Sequence, residues 1–205
     1  MTQPIILTRR AALVGAVASL GGCSALSSLN DAATPLNTFD LRPAPGATTG
    51  RRSGQTILVA RPETPAAIAT DRIVVKPDAL SVTYLPDSRW ADDLPAVVQS
   101  LLIRSIAGTG RVGYVGPSEG GPVPDVALLS RVDGFQVEAG SAGFEVVIEI
   151  SLTLVRDRDQ NVIASRVFRQ SVTAADDIPA VLVPAFQTIL NALLPQMANW
   201  VTATA

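Results

Sequence analysis

The sequence predicts an α+β domain: one twisted, mainly antiparallel sheet with two amphipathic helices packed on one face. Three observations carry that expectation. From Phe144 to Val155 apolar residues alternate, with Phe144, Val146, Ile148, Ile150, Leu152 and Leu154 on one side and Glu145, Glu149, Ser151 and Thr153 mostly on the other. That is the period of a strand with one covered and one wet face. Two other stretches change to helical spacing: Leu94, Val97, Val98, Leu101, Leu102 and Ile106, then Leu182, Phe186, Ile189, Leu190, Leu193, Met197 and Trp200. The remaining apolar runs are short and bounded by Pro, Gly, Asn and Asp, as strands are.

Taken in order, residues from Ser24 to about Gln55 are rich in Ser, Thr, Ala, Pro and Gly, and read as a tether. Thr38 to Leu41 interrupt it with alternating apolar residues and predict an edge strand. Ile57–Ala60 is a short buried strand ended by Pro62. Arg72–Lys76 is a second, and Leu80–Tyr84 a third, with Lys76-Pro77-Asp78-Ala79 as the turn between them. Asp92 and Asp93 stand where an N-cap and the helix dipole favour acids, Pro95 fits a first turn, and Gly108 fits a terminator. A short strand near Val112–Val115 precedes a turn-rich stretch. Val126–Val137 is extended, with Gly134 a candidate bulge. Asp157 to Asn161 turns the chain, and Val162–Thr173 returns as a strand. Pro184 marks the start of the regular last helix, and Pro195 predicts a kink in it. The domain therefore spans 56–202.

Composition excludes several functions. Hydrophobic residues are 47% and charged residues 17% of the 205, which is globular. Without Arg9 and Arg10 the chain has 14 basic against 18 acidic residues, so its net charge is near −4. Phosphate-rich nucleic acid needs a basic face and is not a predicted partner. No histidine occurs, and Cys23 is the one cysteine. Ser–His–Asp and Cys–His nucleophile pairs cannot be built, nor can His-containing or multi-Cys zinc sites. No enzyme, metal site or cofactor is predicted.

Residues 1–22 read as an export signal. Arg9 and Arg10 supply its positive start, and the apolar stretch Ala11–Leu20 is much shorter than the ~20 residues a spanning helix needs. Leu20-Gly21-Gly22-Cys23 resembles a lipobox, in which small residues admit a peptidase and the Cys thiol takes the lipid. Cys23 is thus the predicted acylated first residue, carrying palmitate-type chains. The paired arginines and Leu13 also resemble a twin-arginine signal, although Ala12 stands where Phe is usual, so the export route stays open. Ser24 follows Cys23 where inner-membrane retention of the enterobacterial type would place Asp. That favours the periplasmic face of the outer membrane.

Some motifs point nowhere. Gly108-Thr109-Gly110-Arg111-Val112-Gly113 matches G-x-G-x-x-G, but it follows a helix and opens a strand, the reverse of the nucleotide fingerprint. Asp157-x-Asp159-x-Asn161 begins like a calcium loop, then places Val162 and Phe168 where Gly and Glu are needed. Asp176 and Asp177 precede a helix and read as caps.

Several stretches together resemble a known family. Phe39-Asp40-Leu41-Arg42 is similar to an aromatic-x-Leu strand, and Asp71-Arg72-Ile73-Val74-Val75-Lys76 to a "dR-x-v-v" strand. Tyr84, followed by Trp90-Ala91-Asp92-Asp93-Leu94, resembles a Tyr and then a "W-A-x-x-L" entering the first helix. Val132-Asp133-Gly134-Phe135 and the final helix ending in Trp200 also fit. In their order and spacing over about 38–201 these stretches resemble the ABC-type transport auxiliary lipoproteins, the group that includes paraquat-inducible protein C. Asp93 stands where that group often has Pro, and Pro195 is a further departure.

The resemblance implies a non-enzymatic accessory of an MCE-type ABC transport system. Such systems move phospholipids or other hydrophobic molecules between membranes. The implied partners are an MCE-type periplasmic protein and, through it, an ABC permease and ATPase; assembly of the lipoprotein with its own copies is left open. An envelope-assembly lipoprotein acting as a structural partner in outer-membrane biogenesis is the alternative. Tyr84 and Trp90, scarce aromatics bracketing a Pro-containing stretch, are the candidate partner-binding residues, weighed against a plain core role for Trp90.

Overall fold

In the computed structural model, residues 36–140 and 143–205 are described. Eight strands and two helices follow one another as β1 (Asn37–Phe39), β2 (Thr56–Val59), β3 (Arg72–Lys76), β4 (Thr83–Trp90), α1 (Leu94–Ala107), β5 (Tyr114–Pro117), β6 (Val126–Gly140), β7 (Gly143–Arg156), β8 (Asn161–Ala174) and α2 (Pro179–Thr204). The expected α+β class is present, but the sheet is mixed. The long strands β6, β7 and β8 form antiparallel ladders, as does the β3–β4 pair. The short strands add parallel pairs: β1 on β4, β2 on both β5 and β6, and β3 on β6. One edge of β6 holds two neighbours, β2 along Val126–Leu128 and β3 along Gln136–Glu138. Reading successive apolar runs as hairpin neighbours missed this, because α1 lies between β4 and β5 and lets β5 join β2 in parallel.

A bulge in β6 sets the core. Pairing runs from Val132 opposite Ile150 to Gly134 opposite Glu149, which leaves Asp133 as the extra residue. Before it, Val126, Leu128 and Val132 face inward; after it, Phe135 and Val137 do. The alternation changes phase by one residue, so Phe135 enters the core instead of solvent. Opposite, Val146, Ile148, Ile150, Leu152 and Leu154 are all fully buried.

Asp93 caps α1 by accepting the Ala96 amide at 2.9 Å, with a proline in the first turn. Gly108 ends α1 in an ordinary right-handed conformation. A glycine is needed there for space: a Cβ would stand 2.7 Å from Pro45. Helix α2 begins at Pro179, five residues before the predicted start, and runs through both Pro184 and Pro195. Neither proline is on the buried stripe of Leu182, Phe186, Ile189, Leu190, Leu193 and Met197. Carbonyls that lose a donor to these prolines therefore lie on the side away from the core. By length and apolarity α2 could cross a membrane, but here that stripe packs on the sheet.

Residues 40–55 have no regular structure, yet they lie on the helices as a strap. Leu41 is buried. The Arg42 amide donates to Gln187 Oε1 at 2.8 Å, and the Ala47 amide to Asn199 Oδ1 at 2.7 Å. Farther on, the Ser53 amide donates to the Arg111 carbonyl at 2.9 Å.

Ile148 lies at the centre of β7 with 0% exposure, between Phe135 on β6 and Gln170 on β8 and within the apolar core. Ile148→Asp should bury an unpaired carboxylate and abolish cooperative folding. Circular dichroism through a urea titration checks this; a folded variant would mean that the strand's faces are reversed.

Candidate functional site

Arg9, Arg10, Leu20, Gly21, Gly22 and Cys23 lie outside the described residues, so the geometry concerns Tyr84 and Trp90. Both are on β4, at opposite ends. The strand runs from Thr83 to Trp90, whereas the sequence predicted a strand ending at Tyr84 and a loop beyond it. Two neighbours hold the added length: β3 pairs Arg72 with Arg89, and β1 pairs Asn37–Phe39 with Ser88–Trp90. Asp87, at φ 49°, makes the local break that Pro86 had suggested as a loop.

Trp90 is 2% exposed. Its indole meets Phe135 edge-on at 5.8 Å and Phe186 edge-on at 5.2 Å, while those two rings stack at 5.0 Å. Its amide donates to the Asp71 carbonyl at 2.7 Å. The indole presents no surface on which a partner could rest; it is a core residue where strand gives way to helix. Tyr84 is 41% exposed, and the Arg72 guanidinium sits 5.9 Å from its ring centroid. Arg72 is in turn held by the Ser88 and Leu85 carbonyls, to which it donates.

Tyr84 has neighbours that the sequence did not single out. The β3–β4 connection carries Leu80 at 97% exposure and Val82 at 45%. Pro77 and Asp78 begin the turn, and the Asp78 carboxylate accepts the Leu80 and Ser81 amides at 2.8 and 2.9 Å. Hydrogen bonding from the Ser81 side chain, then from the Leu80 backbone, holds the Asp78 carboxyl below the usual carboxylate range. The turn is thus locally fixed while its apolar side chains face water. Leu80 was read as the first residue of a strand, in which alternate side chains would be covered. Pairing starts only at Thr83 opposite Val75, so nothing covers Leu80. Leu80 and Val82 on the connection, and Tyr84 at the start of β4, together form a small exposed apolar tip.

A second concavity lies on the sheet's outer face. It measures about 510 Å³ and is lined by Arg61, Leu129, Arg131, Thr153, Val167 and residues beside them. Arg61 pairs with Asp93, and Arg131 with Asp133. Arg166, also on its wall, lies over the Phe168 ring at 4.8 Å. Among the described residues no group of three or more Cys, Asp or Glu could hold a metal ion. The G-x-G-x-x-G stretch follows α1 and opens β5, as the sequence suggested.

A family model described as "ABC-type transport auxiliary lipoprotein component" matches residues 39–198. No curated protein matches the chain. Among solved structures, a Xanthomonas campestris protein is 21% identical with a TM-score of 0.73, over 82% of this chain and 94% of that one. An uncharacterized protein is 16% identical with a TM-score of 0.57, over 82% of this chain and 98% of that one. At these identities the likeness establishes the fold.

The two aromatics should separate on substitution. Trp90→Ala should cost ~3–5 kcal/mol of stability, the usual range for truncating a buried aromatic. Leu80→Ser should change stability by less than ~0.5 kcal/mol, as surface changes do. Equilibrium urea unfolding measures both, and a Trp90→Ala protein as stable as wild type would contradict the packing described.

Proposed function

Because the chain belongs to the family of ABC-type transport auxiliary lipoprotein components, we propose that it is a lipid-anchored, non-catalytic docking protein for an MCE-type transport system. Cys23 carries the lipid and holds the domain at the periplasmic face of the outer membrane. The domain engages the system's MCE-type periplasmic component and, through it, the permease and ATPase. The cargo is phospholipid or another hydrophobic molecule passing between the membranes.

The observation that carries the docking reading is the exposed tip of Leu80, Val82 and Tyr84 on a turn fixed by Asp78. Exposed apolar side chains on a rigid connection lose little conformational freedom on binding. Tyr84 adds a large ring with a polar end, the residue type over-represented at binding hot spots. The chain's lack of histidine and its single cysteine support a binding role over a hydrolytic one.

Two measurements test this. Mature wild-type protein should carry fatty acid on Cys23 by mass spectrometry, and Cys23→Ala should lose it; an unacylated mature N-terminus removes the anchor from the proposal. Leu80→Asp with Val82→Asp should leave unfolding unchanged and reduce capture of the MCE-type component about tenfold or more, as loss of a hot spot does. Capture at wild-type affinity would move the docking surface elsewhere.

A further inference from the structure

Arg111 is the most buried cation among the described residues with no acidic partner. It is 9% exposed, and no ion pair among the described residues includes it. Its Nε donates to the Arg51 carbonyl at 3.2 Å, and this is the one hydrogen bond its side chain makes. Burial of a charge is costly unless it is paired, so a guanidinium held this way calls for an explanation. Its two Nη groups make no hydrogen bond among the described residues.

The surroundings fix this cation in place. Thr109, 1% exposed, accepts the Arg111 amide at 3.2 Å and donates to the Ile106 carbonyl at 2.7 Å. The strap passes over the guanidinium at Gly50, whose φ of 124° is open to glycine. A Cβ there would stand 3.2 Å from Cζ, Nε and Nη2 of Arg111. The strap then continues through Arg51 and Arg52, both exposed, to Ser53, whose amide returns to the Arg111 carbonyl at 2.9 Å. Contacts on both sides of Arg52 therefore hold the strap backbone at Arg51 and Ser53 against Arg111. Neither of them belongs to an ion pair among the described residues.

The geometry points to an anion-binding site formed by Arg51, Arg52 and Arg111, which takes a phosphate oxyanion. Two adjacent strap arginines, and a third from beyond α1 that is hydrogen-bonded to the strap backbone, have no carboxylate paired to them among the described residues and form a local positive charge on a chain that is acidic overall. Guanidinium groups match phosphate through parallel N–H donors, and phosphate has enough oxygens to engage more than one of them. Arg111 is pre-set by burial, so it loses little freedom on binding, while Arg51 and Arg52 supply charge from the surface. The same chemistry is offered by free phosphate and by the headgroup of an anionic phospholipid.

The test uses the full chain purified in nonionic detergent, titrated calorimetrically with potassium phosphate, dihexanoylphosphatidylglycerol and dihexanoylphosphatidylcholine. Wild type should bind the anionic lipid more tightly than the zwitterionic one. Arg51→Gln and Arg52→Gln should each weaken binding about fivefold, the effect of one basic residue near an anionic surface. Arg111→Lys should weaken it further, since the charge stays but the fork is lost. If Arg111→Lys does not fold, the Arg51→Gln/Arg52→Gln double variant, altered only at exposed positions, decides the matter. Binding of phosphate as well as phosphatidylglycerol would show that the oxyanion alone suffices; binding of the lipid only would identify the headgroup as the source. No binding by either anionic probe, or binding unchanged in the double variant, overturns the site. Neither result bears on the hairpin tip, whose variants are read by capture of a protein partner.

Discussion

The mutual packing of Trp90, Phe135 and Phe186 is the contact on which the rest of the structure depends. The chain has nine aromatic residues, and three of them are placed here, one each from β4, β6 and α2. Two of the three ring contacts are edge-on and one is stacked, arrangements worth ~0.5–1.5 kcal/mol per pair beyond the area they bury. Apart from Phe168, which meets Trp200 edge-on, the rest of the buried core is aliphatic and could tolerate exchange of one branched side chain for another. The trio cannot be replaced in this way, because ring shape decides how the end of β4, the middle of β6 and the second turn of α2 meet.

The trio depends in turn on one extra residue. Asp133 makes the bulge that changes the phase of β6, so Phe135 faces inward. Its carboxylate is held at the outer face, accepting from Arg131 Nε at 2.8 Å and from the Ser151 hydroxyl at 3.1 Å. A polar residue thus occupies the extra position, and an aromatic gains the core. The bulge also falls between the two stretches of β6 that pair with β2 and with β3. A strand that bends here can serve two parallel neighbours along one edge, which is how a sheet of short strands is joined to three long ones.

How much of this the sequence shows varies with the kind of signal. The strong alternation of β7 and the helical stripes of α1 and α2 are direct records of burial, and they placed those elements. Asp93 is legible because a cap works through its own chain neighbours. Trp90 is not legible, since a large amphipathic ring before a helix suits a core corner and a contact surface equally, and only its distance from Phe135 and Phe186 separates the two. Leu80 and Val82 were hidden for the opposite reason: apolar residues in a short run resemble a strand unless the pairing register is known. The strap was hidden by composition. Its prolines and glycines resemble a solvated linker, yet Pro45 packs against Gly108, and a Cβ on Gly46 would be 2.6 Å from Asn199 Oδ1. Small residues there serve close approach, which composition alone cannot distinguish from flexibility.

The position of β1 fixes where the chain enters relative to the exposed hairpin tip. The chain enters the domain at Asn37–Phe39, which pair in parallel with Ser88–Trp90 at the end of β4. The exposed tip of Leu80, Val82 and Tyr84 is at that strand's start. At ~3.3 Å per residue, the four positions from Ser88 back to Tyr84 separate the entry point from the tip by roughly 13 Å. Between them stands Arg72, which donates to the Ser88 and Leu85 carbonyls and lies over the Tyr84 ring, stiffening the distorted part of the strand. Phe39, the last residue of β1, lies opposite Trp90, so the entering strand ends where the aromatic trio fixes β4.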